Sequence, residues 1–278
     1  MSRAARHAVL WVVLAIVAQV FAAPAAHAGN FTADDAHDAY VGTGGLILPV
    51  SAGEADRRRV ASCLGCAWRL TTPCLGDGTG SEPGPGTAFS GSPACMSVSR
   101  GCPGGRHLLR SWFAPKPGAW EDIGVVCIGV PVTVQQVAQG ARDSLRRSVP
   151  GLVPAAEPSH GAIAQIPVNF ASGQDQGALE IDETLGGLPS HLEAAASWAW
   201  DFGDGTAMTA RTPGCAFPCM SVTHAYLSAG GYRVRVAAHW EGRFWVDGLG
   251  PFAVGAPVVQ EEALRIEVGE GRALLTVP

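Results

Sequence analysis

The sequence predicts a mainly β protein, an antiparallel β-sandwich preceded by a small disulfide-rich α+β region with one amphipathic helix. Three observations carry this expectation. Gly and Pro supply 36 and 20 of the 278 residues, a density that favours short strands joined by turns over a helical bundle. Apolar and polar residues alternate through much of the second half, the period of strands with one buried face. Six of the eight cysteines fall within 63–127, a region whose few apolar residues call for covalent staples. With 47% hydrophobic residues the chain is no disordered acidic tail. With 19 basic against 24 acidic residues it has no cationic excess to release counterions from nucleic acid.

The chain opens with Arg3 and Arg6, an uncharged run from Ala8 to Ala23, Pro24, and the small-residue exit Ala26-His27-Ala28 before Gly29. A positive start, an apolar run and an A-x-A site describe a secretory signal peptide over 1–28, cleaved between Ala28 and Gly29. The alternative is an uncleaved anchor, for which sixteen residues fall short of the ~20 that cross a bilayer. After cleavage no stable membrane span is expected, and the protein is placed as secreted or cell-surface.

Export makes the cysteines a disulfide framework: Cys63, Cys66, Cys74, Cys95, Cys102 and Cys127 as one cluster, Cys215 and Cys219 as a local pair. The spacing leaves the pairing within 63–127 open. Cys63-x-x-Cys66 also suits zinc or a redox pair, but no second C-x-x-C or H-x-H pair follows it.

Five segments follow in order. Residues 1–28 are the signal peptide, and 29–59, acidic and then glycine-rich, read as a flexible lead-in. Residues 60–149 form the Cys-rich domain, with strand-like pieces at Ala67–Leu70 and Ile123–Cys127 and a Gly/Pro/Ser/Thr loop at 76–91. It ends in a helix that Thr133 caps, with Val134, Val137, Ala138, Ala141 and Leu145 on one face. Pro150, Pro154 and Pro158 make 150–158 a semi-rigid linker. Residues 159–278 carry strand candidates at 162–170, 178–182, 198–202, 232–240, 243–246, 264–268 and 272–277.

Within this last segment, Trp198-Ala-Trp200-Asp201-Phe202-Gly203-Asp204-Gly205-Thr206 precedes Val222-Thr-His224-Ala-Tyr226 and Gly231-Tyr232-Arg-Val-Arg-Val236. The three blocks resemble the PKD (polycystic kidney disease) domain, with its W-D-F-G-D-G-T motif, H-x-Y strand and G-x-Y-x-V-x-V strand, the motif lying at about 197–246. The resemblance implies an immunoglobulin-like sandwich that serves in adhesion or as a spacer. The insert Cys215-Ala-Phe-Pro-Cys219 departs from the basic family pattern. The whole layout is also similar to small exported actinobacterial proteins, which again implies export from a bacterial cell.

Physical chemistry gives the motif a structural role. Trp200 and Phe202 alternate inward, Asp201 and Asp204 accept backbone N–H bonds, and Gly203 and Gly205 admit positive φ. A calcium loop from Asp201 and Asp204 is the sharper alternative, though short of oxygen ligands. No metal, cofactor or catalytic residue is expected. The chain lacks G-x-S-x-G, H-E-x-x-H and P-loop motifs. Asp201-Phe202-Gly203 spells a kinase triplet without its catalytic loop. His191-x-Glu193 with Pro213-Gly-Cys215-x3-Cys219 misses the zinc-deaminase spacing by one residue twice. His107, His160 and His239 have no visible partner. Trp240 and Trp245 are candidates for an aromatic platform, although alternation groups Trp240 with the buried set, and Trp112 and Trp120 are expected to be freer.

The function expected is therefore an exported, non-enzymatic protein whose sandwich binds a protein or polysaccharide at the cell surface or acts as a spacer there. The alternatives are a subunit of a surface assembly such as a pilus or secretion apparatus, and a secreted enzyme or inhibitor in the Cys-rich half.

Overall fold

The computed structural model describes residues 31–34, 39–71, 102–175 and 177–271. The signal segment with Ala28 and Gly29, Cys74, Cys95, the 76–91 loop and the strand expected at 272–277 lie outside these residues.

The N-terminal layer is an antiparallel meander of β1 (Phe31–Asp34), β2 (Ala39–Thr43), β3 (Ala67–Thr71), β4 (His107–Ala114) and β5 (Glu121–Ile128), in that order across the sheet. Helix α1 (Glu54–Ser62) supplies Val60 to a core of Leu46, Leu48, Trp68, Leu70, Leu109, Phe113, Val126 and Ile128. Disulfides join Cys63 to Cys66, just beyond α1, and Cys102 to Cys127, at the approach to β4 and within β5.

The expected flexible lead-in at 29–59 is corrected here. Its last six residues, Glu54–Arg59, are helical, and Leu46 and Leu48 are fully buried. Leu46-Ile47-Leu48 runs extended, so successive side chains point to opposite sides. Leu46 and Leu48 enter the N-terminal core, whereas Ile47 joins the core of the C-terminal half. Backbone bonds from Ile47 N to Val132 O and from Val134 N to Gly45 O fix this seam. Gly45 is required there, because a Cβ would sit 2.0 Å from the carbonyl oxygen of Ala61 in α1.

Helix α2 (Val134–Ser148) starts at a capping box. Gln136 N donates to Thr133 Oγ1, and Thr133 N donates to Gln136 Oε1. Its buried face, Val134, Val137, Ala141, Ser144 and Leu145, belongs to the C-terminal core. The boundary expected after residue 149 therefore does not divide the packing. The helix covers a sheet that follows it in sequence, because that sheet offers the apolar area α2 needs.

That sheet is built on two long strands, β10 (Leu188–Asp201) and β13 (Gly230–Val246), paired antiparallel along twelve residues of β10. Around them lie β9 (Ala178–Leu185) and β11 (Ala207–Ala210) on β10, and β14 (Leu249–Ala253) and β15 (Val258–Gly269) on β13. Strand β7 (Ala162–Ile163) joins β15 in parallel. At the 198–201 end the sheet faces a smaller one, β6 (Ala155–Glu157), β8 (Val168–Ala171) and β12 (Thr223–His224), in the order β12-β8-β6. Phe170 of β8 packs against Trp200 and Phe202 at 5.8 and 5.3 Å between ring centroids. The fold is mainly β with antiparallel sheets, and the sandwich is immunoglobulin-like.

The segment expected as a linker, 150–158, is part of this sandwich. β6 pairs with β8, Leu152 and Ala156 are buried, and Pro150 O accepts bonds from Gln174 Nε2 at 2.8 Å and Gln260 Nε2 at 3.0 Å. Gln174, 3% exposed, also accepts from Trp198 Nε1 at 2.7 Å and donates to Gln260 Oε1 at 2.8 Å. Prolines at 150, 154 and 158 fit a strand at the sheet margin, so a composition read as a spacer here describes an edge.

Candidate functional site

The turn after β10 gathers the motif residues. Phe202 N donates to Thr206 O at 3.1 Å and closes the turn. Asp201 Oδ1 accepts from Gly203 N at 2.9 Å, and Asp204 Oδ1 accepts from Thr206 N at 3.0 Å and Thr206 Oγ1 at 2.6 Å. The other Asp204 oxygen, Oδ2, lies 2.7 Å from His224 Nε2 on β12. Gly203 has φ 81°, and a Cβ on it would stand 2.6 Å from Arg233 O; only glycine fits the turn against β13.

Aromatic rings hold the other side. His224 stacks on Phe202 at 4.2 Å, meets Tyr226 edge-on at 4.7 Å, and Tyr226 stacks on Tyr232 at 4.2 Å. The Tyr226 hydroxyl donates to Phe202 O at 3.2 Å, and Tyr232 donates to Ser228 O at 2.9 Å. The positive φ of Gly205, 91°, completes the turn. Trp200, Phe202 and Tyr226 are fully buried.

The electrostatics follow from these bonds. Burial opposes ionisation of Asp204, but the Thr206 and His224 hydrogen bonds outweigh it and hold the carboxyl below its usual value. Burial, with the nearby Asp204 charge, pushes the Tyr226 phenol well above its ordinary range. Both Asp204 oxygens thus face protein donors, and Asp201 Oδ2 lies 3.6 Å from Arg235. A cation at this turn would have to displace Thr206, His224 and Arg235. Among the described residues no group of three or more His, Cys, Asp or Glu side chains is placed to hold a metal.

The other sequence candidates separate. Cys215 and Cys219 are bonded to each other, so their sulfurs are consumed and no thiolate remains to meet His191. His191 instead faces Asp182, with Nδ1 2.7 Å from Oδ1, and Trp245 at 5.6 Å between rings. The Asp182 hydrogen bond raises the His191 pKa above its ordinary value. Trp240 is fully buried and Trp112 is 1% exposed. The expectation that Trp112 is free is corrected: both faces of β4 are covered, and its Nε1 donates to Thr71 Oγ1 at 3.1 Å. Trp120 and Trp245 are half-buried, with Arg69 and Arg243 each 6.0 Å from the ring centre.

Sequence reasoning missed three buried polar anchors. Gln174 joins Trp198 to Pro150, as above. Asn169 Nδ2 donates to Cys215 O at 2.7 Å. Arg57 of α1 donates from Nε to Leu48 O at 2.9 Å, and from Nη2 to Asp247 O and Oδ2 at 2.8 and 2.7 Å. The signal that could have marked Arg57 is its place beside the apolar positions Val60 and Ala61 on a short helix.

No curated protein matches the chain. The family model of the PKD domain matches residues 186–240, from the turn before β10 to Trp240. The stretch this family model matches contains the aspartate turn, all of β10 and β13 as far as Trp240.

Proposed function

We propose that this is an exported, non-enzymatic protein whose PKD domain works as a binding or spacer module at the cell surface. The observation that carries the reading is the aspartate turn: its carboxylates, histidine and tyrosine hydroxyls are each engaged by hydrogen bonds within the protein. Such a turn is suited to rigidity. The long β13 strand adds reach, since its 17 residues extend about 55 Å. Disulfides at Cys63–Cys66, Cys102–Cys127 and Cys215–Cys219 suit an oxidising compartment.

Lys116, the one lysine in the sequence, is exposed just after β4 and provides the test. A membrane-impermeant amine reagent applied to intact producing cells is expected to label Lys116. Labelling that appears only after lysis would contradict the surface placement.

A further inference from the structure

The insert between β11 and β12 is held rigidly from below while it displays an apolar side chain. Cys215 O accepts from Asn169, itself 3% exposed, and Phe217 N donates to Glu157 Oε2 at 2.7 Å. The Cys215–Cys219 bond and the Cys219 N to Ala216 O bond close the loop. Yet Phe217 is 74% exposed and Met220 47%. Four constraints thus fix a backbone whose aromatic ring gains little burial within its own chain.

A crevice of about 530 Å3, lined by Ile47, Pro49, Val50, Val130, Val132 and Leu188, lies at the opposite end of β10 from the insert. Val50 and Val130 stand exposed at its lips, at 73% and 74%. Arg106 borders it and is exposed. The carboxylate under Phe217, Glu157, is exposed and accepts from Asn169 Nδ2 and the Phe217 N–H.

The knob cannot fill the crevice of its own chain. Phe170, next to Asn169, packs on Trp200, which lies twelve residues along β10 from Leu188, about 40 Å of strand. We propose that copies of this chain associate head to tail, Phe217 of one copy seating in the apolar crevice of the next, with Glu157 brought toward Arg106. A knob and a socket on different surfaces make a heterologous contact, which propagates unless rotation closes it. A single aromatic anchor of this size predicts a weak, concentration-dependent association.

The test uses the purified, oxidised full chain and sedimentation velocity from about 1 μM to 1 mM, the range of weak complexes. Wild type is expected to shift to dimers and higher species as concentration rises. Phe217→Asp removes the knob, Val130→Asp spoils the socket, and each alone is expected to weaken association at least about tenfold. Both side chains are exposed, so melting temperatures should stay at the wild-type value. Mixed in equal amounts, the two variants retain one intact socket and one intact knob, and should form one-to-one dimers and nothing larger. A monomeric wild type overturns the proposal, as does a mixture that fails to dimerise when wild type does. The inference goes beyond export and surface placement, and its failure would leave that reading standing.

Discussion

Replacing Asp204 with asparagine is expected to destabilise the protein by roughly 1.5 kcal/mol at neutral pH, the low end for hydrogen bonds to a charged acceptor, because Thr206 is exposed and water replaces part of what is lost. Thr206 N, Thr206 Oγ1 and His224 Nε2 all bond this carboxylate, and its side chain is 17% exposed. The effect depends on pH in a defined direction. Asp204 titrates below its unfolded value of about 3.9, so its contribution is complete above that pH. It fades as pH falls through the lower folded value. Urea melts of wild type and Asp204→Asn should therefore differ most at pH 6–7 and converge toward pH 3. Curves that stay parallel through the acid range would show that the carboxylate does not stabilise the turn.

Arg57→Met is expected to cost about 3 kcal/mol, because it leaves a carboxylate and two carbonyls of the seam unpaired. Those acceptors are Asp247 Oδ2, Asp247 O and Leu48 O. The Arg57 side chain is 9% exposed and that of Asp247 26%, so water replaces the lost bonds poorly. Asp247 has φ 47°, which makes Asp247→Asn the suitable partner in a double-mutant cycle, since asparagine accepts that backbone. The two changes should be strongly non-additive. Wild type should melt in a single transition, because Arg57, Ile47 and Ala61 tie the two halves into one unit. Additive effects, or two separate transitions in wild type, would contradict this coupling.

Much of the sandwich was legible from local pattern. The alternation from Tyr232 to Trp240 and the Asp-Gly turn chemistry at 201–206 state their structure within a few residues. The Thr133 cap and the apolar spacing after it do the same for α2. What was hidden depends on partners far along the chain. Leu46-Ile47-Leu48 is short and follows glycines, and its burial is decided by α1 on one side and the C-terminal sheet on the other. The start of β10, 188–197, carries Ser190, Leu192 and Ala194 inward, too small a set to stand out. Trp112 gave no cue that both faces of β4 are covered. Gln174 and Asn169 are polar residues whose burial makes sense only once Pro150 and Cys215 are beside them.

The site was legible as a motif and silent as a ligand. Asp201, Asp204 and His224 belong to the residue types that bind metals, and only their distances show that Thr206, Arg235 and one another are what they bind. Phe217 was visible only as part of an insert; its exposure on a pinned loop is a property of the fold.

Whether the chain is exported and braced by disulfides is read from the intact mass of the protein in fractionated producing cells. The expected species begins near Gly29, is found outside the cytoplasm, and gains about 8 Da on reduction as all eight cysteines accept hydrogen. A chain that retains residues 1–28, or one whose thiols alkylate without reduction, would contradict it.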